Sequence, residues 1–296
     1  MPITTEFDYV KAKTLDEALR LLALYRETGK VLAGGTDLVV HLKENIARPE
    51  AVVDIKGVPG LDAITLDGYV LKLGALVTFS QLIESALVKS KFPLLWEMAR
   101  TVASAGVRNR ATVAGNICSA VPSADSAAVL QVYDAYVVVQ SLRGKKKISV
   151  NDWFTGPKKT VLASDEMVVE IELPLFKTAS GGCYAKLSRY EGEDLAQGGL
   201  AVLAFADNTY KVAFCALGPK PARALKTEEL LNGKKLSDKL VAEAAGVLLK
   251  EISPITDIRS SKEYRVHMTG VMLERALKAA AARICGKGPK YGEPVI

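Results

Sequence analysis

Two stretches of small residues offer the groups best suited to holding a ligand. The first is Ala33-Gly34-Gly35-Thr36-Asp37, and the second, about eighty residues later, is Thr112-Val113-Ala114-Gly115-Asn116. Glycine lets a backbone approach a ligand closely, and the N–H groups of such loops can face a phosphate. We therefore expect one long, anionic ligand that is bound from two sides.

The elements next to each stretch add to this expectation. A strand is predicted to run into the first loop, and Thr36 is predicted to cap a helix that begins at Asp37, so loop amides and a helix N-terminus would face one anion. The alternative is a simple strand-to-helix turn. No Gly-Lys-Ser/Thr follows, and the G-x-G-x-x-G spacing is absent, which excludes a Walker A loop and a dinucleotide fingerprint.

Asp125 stands nine residues after Asn116, where a helix reaching Tyr133 is predicted to begin. Its carboxylate either contacts the ligand or serves the first turn of that helix, where the helix dipole favours a negative charge. Arg108 and Arg110 precede the second loop and lie near phosphate or form structural ion pairs. The residues alone leave these alternatives open.

The segments AGGTDL (33–38) and RNRATVAGN (108–116), with the spacing from Asn116 to Asp125, resemble the FAD-binding medium subunit of the xanthine dehydrogenase family. These molybdenum hydroxylases include carbon monoxide dehydrogenase and nicotinate dehydrogenase. The resemblance runs nearly end to end, and the order and spacing of the motifs make it specific. It implies that both loops hold the FAD pyrophosphate, mainly through backbone N–H groups.

The resemblance also assigns side chains to the cofactor. It implies that Asp125 is a polar FAD contact, that Val168 packs against the cofactor and that Lys186 lies near the flavin. A cation beside the N1–C2 carbonyl side would favour the anionic reduced flavin. For Lys186 the alternative is an exposed strand lysine, and Tyr190 is a candidate to cover one face of the ring.

The function implied is electron transfer. In the family, a large molybdopterin subunit hydroxylates the substrate, and two 2Fe–2S clusters of a small subunit pass electrons to the FAD of the medium subunit. NAD or another acceptor takes them onward, in a dimer of three-subunit units. We expect non-covalent FAD, since His41 lacks the context of a covalent link, and neither catalytic residues nor metal ligands in this chain.

Two other classes of function stay open. One is a stand-alone flavin oxidoreductase that acts on a small substrate, with Tyr190 and Glu191 as candidate acid–base groups. The other is a nucleotide-binding protein without redox chemistry. Partner subunits, a yellow protein alone, or a colourless protein on purification would discriminate the three.

Composition excludes several classes. The 296 residues are 49% hydrophobic and 24% charged, which fits a globular chain with several subdomains. The net charge of +6 is scattered in short lysine runs without aromatic residues between them, so nucleic-acid binding is not expected. Four distant cysteines without a C-x-x-C pair, no apolar signal-peptide core and no membrane span favour the cytoplasm.

The pattern of elements predicts an α+β chain in three pieces. Residues 1–56 form a small parallel β-α-β unit of the FAD-binding fold, and residues 57–175 form a mixed α/β middle subdomain. Residues 176–296 carry a three-stranded antiparallel meander (184–188, 199–206, 210–217), followed by helices at 222–231, 237–252 and 262–280. The glycine- and proline-rich tail is expected to be loosely ordered or held by a partner.

Overall fold

The computed structural model describes residues 2–190 and 194–296 and confirms the α+β class. Its first unit contains five elements: β1 (Asp8–Lys11), α1 (Leu15–Tyr25), β2 (Gly29–Leu32), α2 (Leu38–Lys43) and β3 (Ala51–Asp54). The three strands are parallel in the order β1-β3-β2. The Thr14 side chain caps α1 by accepting the Glu17 N–H at 3.1 Å. The sequence did not predict β1, a short and mostly exposed strand.

A second sheet and a cluster of helices follow. The elements are β4 (Ile64–Asp67), β5 (Val70–Gly74), α3 (Phe79–Glu84), α4 (Ala86–Lys91), α5 (Pro93–Thr101), α6 (Ala105–Arg108), α7 (Val113–Ser119), α8 (Asp125–Val132), β6 (Tyr136–Ser141), β7 (Gly144–Ser149), β8 (Phe154–Gly156), β9 (Lys159–Thr160) and β10 (Met167–Pro174). The sheet is antiparallel in the order β4-β5-β10-β6-β7, and β8 pairs with β9 alone. Every residue of α8 is buried, so this helix is the centre of the packing.

The last part combines a sheet with three helices. The elements are β11 (Ser180–Leu187), β12 (Gly198–Phe205), β13 (Tyr210–Cys215), β14 (Ala222–Arg223), α9 (Leu225–Leu231), α10 (Asp238–Leu248) and α11 (Lys262–Ile284). The predicted antiparallel meander is confirmed, and β14 adds a fourth, two-residue strand. The predicted helix at 222 begins instead at Leu225, because Ala222 and Arg223 pair with β13.

The C-terminal tail is held by its own chain, which corrects the expectation of a loose or partner-bound tail. The Tyr291 hydroxyl accepts the Gly182 N–H at 2.9 Å, and the Gly292 N–H donates to Glu97 at 3.0 Å. The Arg283 guanidinium bonds two tail carbonyls and forms a buried ion pair with Glu97 at 2.9 Å. The tail thereby joins α5 to β11.

No helix within residues 2–190 and 194–296 combines the length and apolar character needed to cross a bilayer. The division at 56/57 and 175/176 stays a prediction.

Candidate functional site

The two small-residue segments lie against each other. A Cβ atom on Gly34 would stand 2.6 Å from the Arg110 carbonyl carbon and would overlap the carbonyl oxygen, so only glycine lets these backbones meet. At the other end of the contact, the Ser119 hydroxyl donates to the Asp37 carboxylate. The segments therefore form one continuous surface.

The first segment joins β2 to α2 as a tight turn. Gly35 has a φ of 78°, a left-handed value that favours glycine. The carbonyls of Gly35 and Asp37 accept helix N–H groups at 3.0 Å. Within the described part of the chain, the N–H groups of residues 34–37 have no hydrogen-bond acceptor. The turn thus presents donors that an anion can use.

The helix after this turn differs from the predicted one. Asp37 is the N-cap and α2 begins at Leu38, and the Asp37 side chain makes no capping hydrogen bond to the first turn. The prediction that Thr36 caps a helix starting at Asp37 was therefore wrong. His41 lies in α2, as the sequence predicts.

The second segment is a helix and not a loop. Thr112 is the N-cap of α7, and its hydroxyl accepts the Gly115 N–H at 2.9 Å. The Val113 N–H donates to Val77 at 3.1 Å, and the Asn116 N–H donates to the Thr112 carbonyl at 3.0 Å. The expectation that residues 112–116 offer mainly free N–H groups is thus corrected. Of these five, only Thr112 and Ala114 have N–H groups without an acceptor among the described residues.

Asn116 lies on α7, and Val168 lies on β10, the strand beside it. The Asn116 side-chain oxygen accepts the Ser126 hydroxyl at 2.6 Å, which joins α7 to α8. Val168 is buried on β10, which runs beside α7, and the register of β10 against β6 shifts between Val168 and Glu170. Asn116 thus links two helices, and Val168 is part of the buried core on the strand next to α7.

Asp125 and Lys186 form a buried ion pair. The Lys186 Nζ atom lies 3.1 Å from Asp125 Oδ2, and the two side chains are 7% and 8% exposed. Lys186 Nζ also donates to the Thr101 carbonyl at 2.7 Å. The alternative of an exposed strand lysine was therefore wrong. An ammonium has three N–H donors, so one donor of Lys186 is left for another acceptor.

Burial sets the electrostatics of this pair. It raises the pKa of the Asp125 carboxyl, while the Lys186 charge and hydrogen bonds from Tyr184 and Lys186 oppose that rise. A buried carboxylate without such partners would take up a proton. The arrangement keeps a negative and a positive group together where α8, β11 and the end of α5 meet.

Of three further candidates, one is exposed and two have contacts within the protein. Tyr190 is 68% exposed in the hairpin after β11, and its carbonyl accepts the Ser188 hydroxyl at 3.1 Å. The Arg108 guanidinium donates to the carbonyls of Val102 and Ala103, so it has partners in the protein. Arg110 meets the first segment through its backbone. Glu191 lies outside the described residues.

Tyr184 is a site residue that the sequence analysis missed. Its hydroxyl donates to Asp125 Oδ1 at 2.6 Å and lies 3.5 Å from Cys215 Sγ. The spacing held a signal, because residues two apart on a strand face the same side and Lys186 had been singled out. Thr101, whose carbonyl holds Lys186, gave no signal in the sequence.

Two family comparisons cover most of the chain. Residues 5–176 match the family described as the FAD binding domain in molybdopterin dehydrogenase. Residues 183–280 match the CO dehydrogenase flavoprotein C-terminal domain. The first match ends just after β10, and the second begins within β11, the strand that carries Lys186.

Individual relatives agree with both families. The carbon monoxide dehydrogenase medium chain of Hydrogenophaga pseudoflava is 32% identical over 284 residues, which cover 95% of this chain and 99% of that one. A putative xanthine dehydrogenase FAD-binding subunit of Escherichia coli is 33% identical over 94% of this chain and 97% of its own length. The solved carbon monoxide dehydrogenase of Hydrogenophaga pseudoflava superposes with a TM-score of 0.92 at 33% identity, over 96% of this chain and 99% of that chain. The present chain therefore belongs to the FAD-binding medium subunits of the xanthine dehydrogenase and carbon monoxide dehydrogenase family, and it is an oxidoreductase subunit.

Proposed function

We propose that this chain is the electron-transfer subunit of a molybdenum hydroxylase complex. It would take electrons from the 2Fe–2S clusters of a partner subunit and pass them to NAD or another acceptor. Bound FAD supplies the exchange between single electrons and electron pairs. The observation that carries the proposal is the buried Asp125–Lys186 pair, in which one lysine donor is left for another acceptor; the contact between the two small-residue segments at Gly34 and Arg110 adds to it.

The residues present fit a ligand with two phosphates. The turn at residues 34–37 offers N–H groups that have no acceptor among the described residues, and residues 34–37 are partly or fully exposed. We propose that Ala33, Gly34, Gly35, Thr36 and Asp37 hold the pyrophosphate together with the N–H groups of Thr112 and Ala114. Asn116 would orient the rest of the ligand through its side-chain amide.

The second part of the proposed site binds the flavin end. Val168 would pack its side chain against the cofactor, and Asp125 and Lys186 would face its polar edge. A cation at that edge stabilises negative charge in a site with little water, where electrostatic interactions are strong. We propose Tyr190 as a residue that covers the ring from the exposed hairpin.

Two partners follow from this assignment. Relatives carry the names medium chain and subunit, which supports a multi-subunit complex. We propose an iron–sulfur small subunit and a molybdopterin large subunit, assembled as a dimer of heterotrimers. We also propose a cytoplasmic location, supported by the four free cysteines at 118, 183, 215 and 285.

The first experiment is an absorption spectrum of the purified chain before and after acid precipitation. Flavin bands that move to the supernatant would support non-covalent FAD. A protein that stays colourless after incubation with FAD would overturn the site assignment. The matched pair of variants is Lys186→Met, which removes the cation from the site, and Lys239→Met, which removes an exposed lysine on α10.

The second experiment tests electron transfer against independent catalysis. The chain alone is expected to oxidise no aromatic heterocycle or aldehyde, because the hydroxylation chemistry is assigned to the molybdopterin partner. Co-expression with the proposed iron–sulfur and molybdopterin subunits is expected to give a complex that oxidises such a substrate. Turnover by the isolated, FAD-loaded chain would contradict the proposal and support a stand-alone oxidoreductase.

A further inference from the structure

Tyr184 is fixed at both ends. Its backbone N–H donates to Glu97 on α5 at 2.9 Å, and its hydroxyl donates to Asp125 on α8 at 2.6 Å. The side chain is buried within the core, only 4% exposed. One residue of β11 is therefore locked to two helices, and its hydroxyl has a single direction.

The neighbouring strands leave room for that hydroxyl. Gly199 lies on β12 beside β11, and a Cβ atom there would stand 2.6 Å from the Tyr184 hydroxyl and would overlap Cys215 Sγ. A glycine in the interior of a strand costs stability, and it often marks a close approach of other groups. Here the missing side chain accommodates the Tyr184–Asp125 contact.

The two oxygens of Asp125 have separate partners. Oδ1 accepts the Tyr184 hydroxyl and Oδ2 accepts the Lys186 ammonium. The Cys215 thiol on β13 lies against the Tyr184 hydroxyl, and the Thr101 carbonyl on α5 accepts a hydrogen bond from Lys186. The neutral Asn116 amide on α7 accepts one from Ser126, the residue after Asp125. Lys186 is thus the only cation in direct contact with Asp125 within residues 2–190 and 194–296.

The protonation states support a fixed direction of this hydrogen bond. Burial raises the pKa of Tyr184 well above its ordinary value, and the adjacent Asp125 charge raises it further. Burial likewise raises the pKa of the Cys215 thiol to about 12. Tyr184 therefore remains a donor throughout the working pH range, and Asp125 is the group whose charge its hydrogen bond stabilises.

We propose that Tyr184 is a positioning residue for the flavin-side cation. Its hydroxyl stabilises the ionised Asp125 carboxylate and fixes the orientation of that carboxylate. The carboxylate then positions the Lys186 ammonium so that one N–H is directed towards the cofactor. This inference rests on the proposed function, in which Lys186 lies near the flavin. It adds a residue that touches neither FAD nor an electron partner.

The test is the pH dependence of the flavin midpoint potential in the FAD-loaded chain. In Tyr184→Phe, loss of a hydrogen bond to a charged group should let Asp125 bind its proton about tenfold to a hundredfold more tightly. The inflection that Asp125 contributes to the pH profile of the potential should then lie at a higher pH than in the wild type. The flavin should be easier to reduce on the acid side, because each added proton makes the site more positive.

Two variants isolate the contact. Tyr210→Phe removes another buried phenol, at the far end of β13, and should leave the pH profile of the wild type unchanged. In the background of Asp125→Asn, the change Tyr184→Phe should have no further effect on the profile, because the titrating group is gone. A shift of equal size in both backgrounds would overturn the proposal.

A measurement on the unmutated chain covers the case in which Tyr184→Phe does not fold. Infrared spectra of the FAD-loaded protein, with Asp125→Asn for assignment, report whether the carboxyl carries a proton. We expect no protonated Asp125 band at neutral pH, and the presence of one would overturn the proposal. A wild-type chain that binds no FAD would instead contradict the proposed function, whereas an unchanged profile in folded, FAD-loaded Tyr184→Phe contradicts only the role of Tyr184.

Discussion

The backbone of Gly34 rests directly on the carbonyl group of Arg110, so two segments that are distant in sequence form one surface. Each segment contains a helix too short to be stable on its own. The first is a six-residue helix and its preceding turn, and the second is a seven-residue helix. Their contact is therefore the first place to test the proposed site.

Gly34→Ala is expected to weaken FAD binding and to lower stability. The added methyl group would overlap the Arg110 carbonyl, and overpacking of this kind costs about 1–3 kcal/mol. A comparable loss at the site lowers affinity about tenfold or more. Fluorescence titration with FAD and thermal unfolding would measure both effects.

The control for Gly34 makes the same chemical change at a site with room. Gly246 lies in α10 with no atom within 4 Å of a new Cβ, so Gly246→Ala should stabilise the chain slightly without changing FAD affinity. Equal FAD affinity in Gly34→Ala and wild type would contradict the proposal that the first segment binds the pyrophosphate.

Asp125 gives stability a distinctive dependence on pH. Burial raises its folded pKa above the unfolded value of about 3.9, so its contribution is complete below that value and is lost as pH rises through the folded pKa. Relative to Asp125→Asn, the wild type should lose stability from about pH 4 upwards, by at most about 1.4 kcal/mol per pH unit, and then level off. Urea unfolding across pH 3.5–8 would measure the difference.

An exposed aspartate provides the comparison of opposite sign. Hydrogen bonds from Thr209 lower the pKa of Asp207, so its contribution is present above the unfolded pKa and is lost as pH falls. Relative to Asp207→Asn, the wild type should gain stability as pH rises. Parallel curves for the two variants would contradict the assigned burial of Asp125.

The buried Glu97–Arg283 pair should be essential for stability. The two side chains are 5% and 3% exposed, and Arg283→Met would leave the Glu97 carboxylate without its cation. Removing one partner of such a pair typically costs about 3–5 kcal/mol. Lys278→Met on the same helix removes an exposed cation and should change the unfolding midpoint little. Similar midpoints for both variants would show that the pair is not needed.

The cysteines should differ in the rate at which a thiol reagent modifies them. Burial raises the pKa of the Cys183 and Cys215 thiols to about 12 in each case, whereas Cys285 is exposed. Since the thiolate is the nucleophile, an aromatic disulfide reagent at pH 8 should modify Cys285 rapidly and the two buried thiols only after unfolding. The rapid phase should vanish in Cys285→Ser. Cys118 is partly exposed, so the contradicting outcome is a rapid phase that persists when both Cys118 and Cys285 are changed to serine, which would show that Cys183 or Cys215 is not buried.

The sequence predicted what depends on local residue types. Glycines at 34 and 35 after a strand indicated an accessible turn, and alternating apolar residues indicated the meander. Small residues at 114 and 115 were also interpreted as a loop, yet Thr112 caps a helix there, and Gly115 makes room for the capping hydroxyl. Composition alone does not distinguish a glycine that bends a chain from one that accommodates a neighbour.

Contacts between distant residues were beyond the sequence. Both Asp125 and Lys186 were predicted as site residues, but their ion pair joins positions 61 residues apart and depends on how α8 packs against β12 and β13, in the sheet that contains β11. The tail was misjudged for the same reason. Its glycines and proline are typical of a loose end, and only the folded structure places Gly292 against Arg100 and Glu97.

The anchoring of the tail also sets an order of events during synthesis. Glu97 cannot form its ion pair until Arg283, 186 residues further along, has been synthesised. The hydrogen bond from the Gly182 N–H likewise requires Tyr291. Ribosomes add about 5–20 residues per second, so α5 spends on the order of ten seconds or more without the charge that neutralises it. The helix whose last carbonyl holds Lys186 therefore gains its buried counter-ion and its contact with Gly292 only after residues 283–292 have emerged from the ribosome.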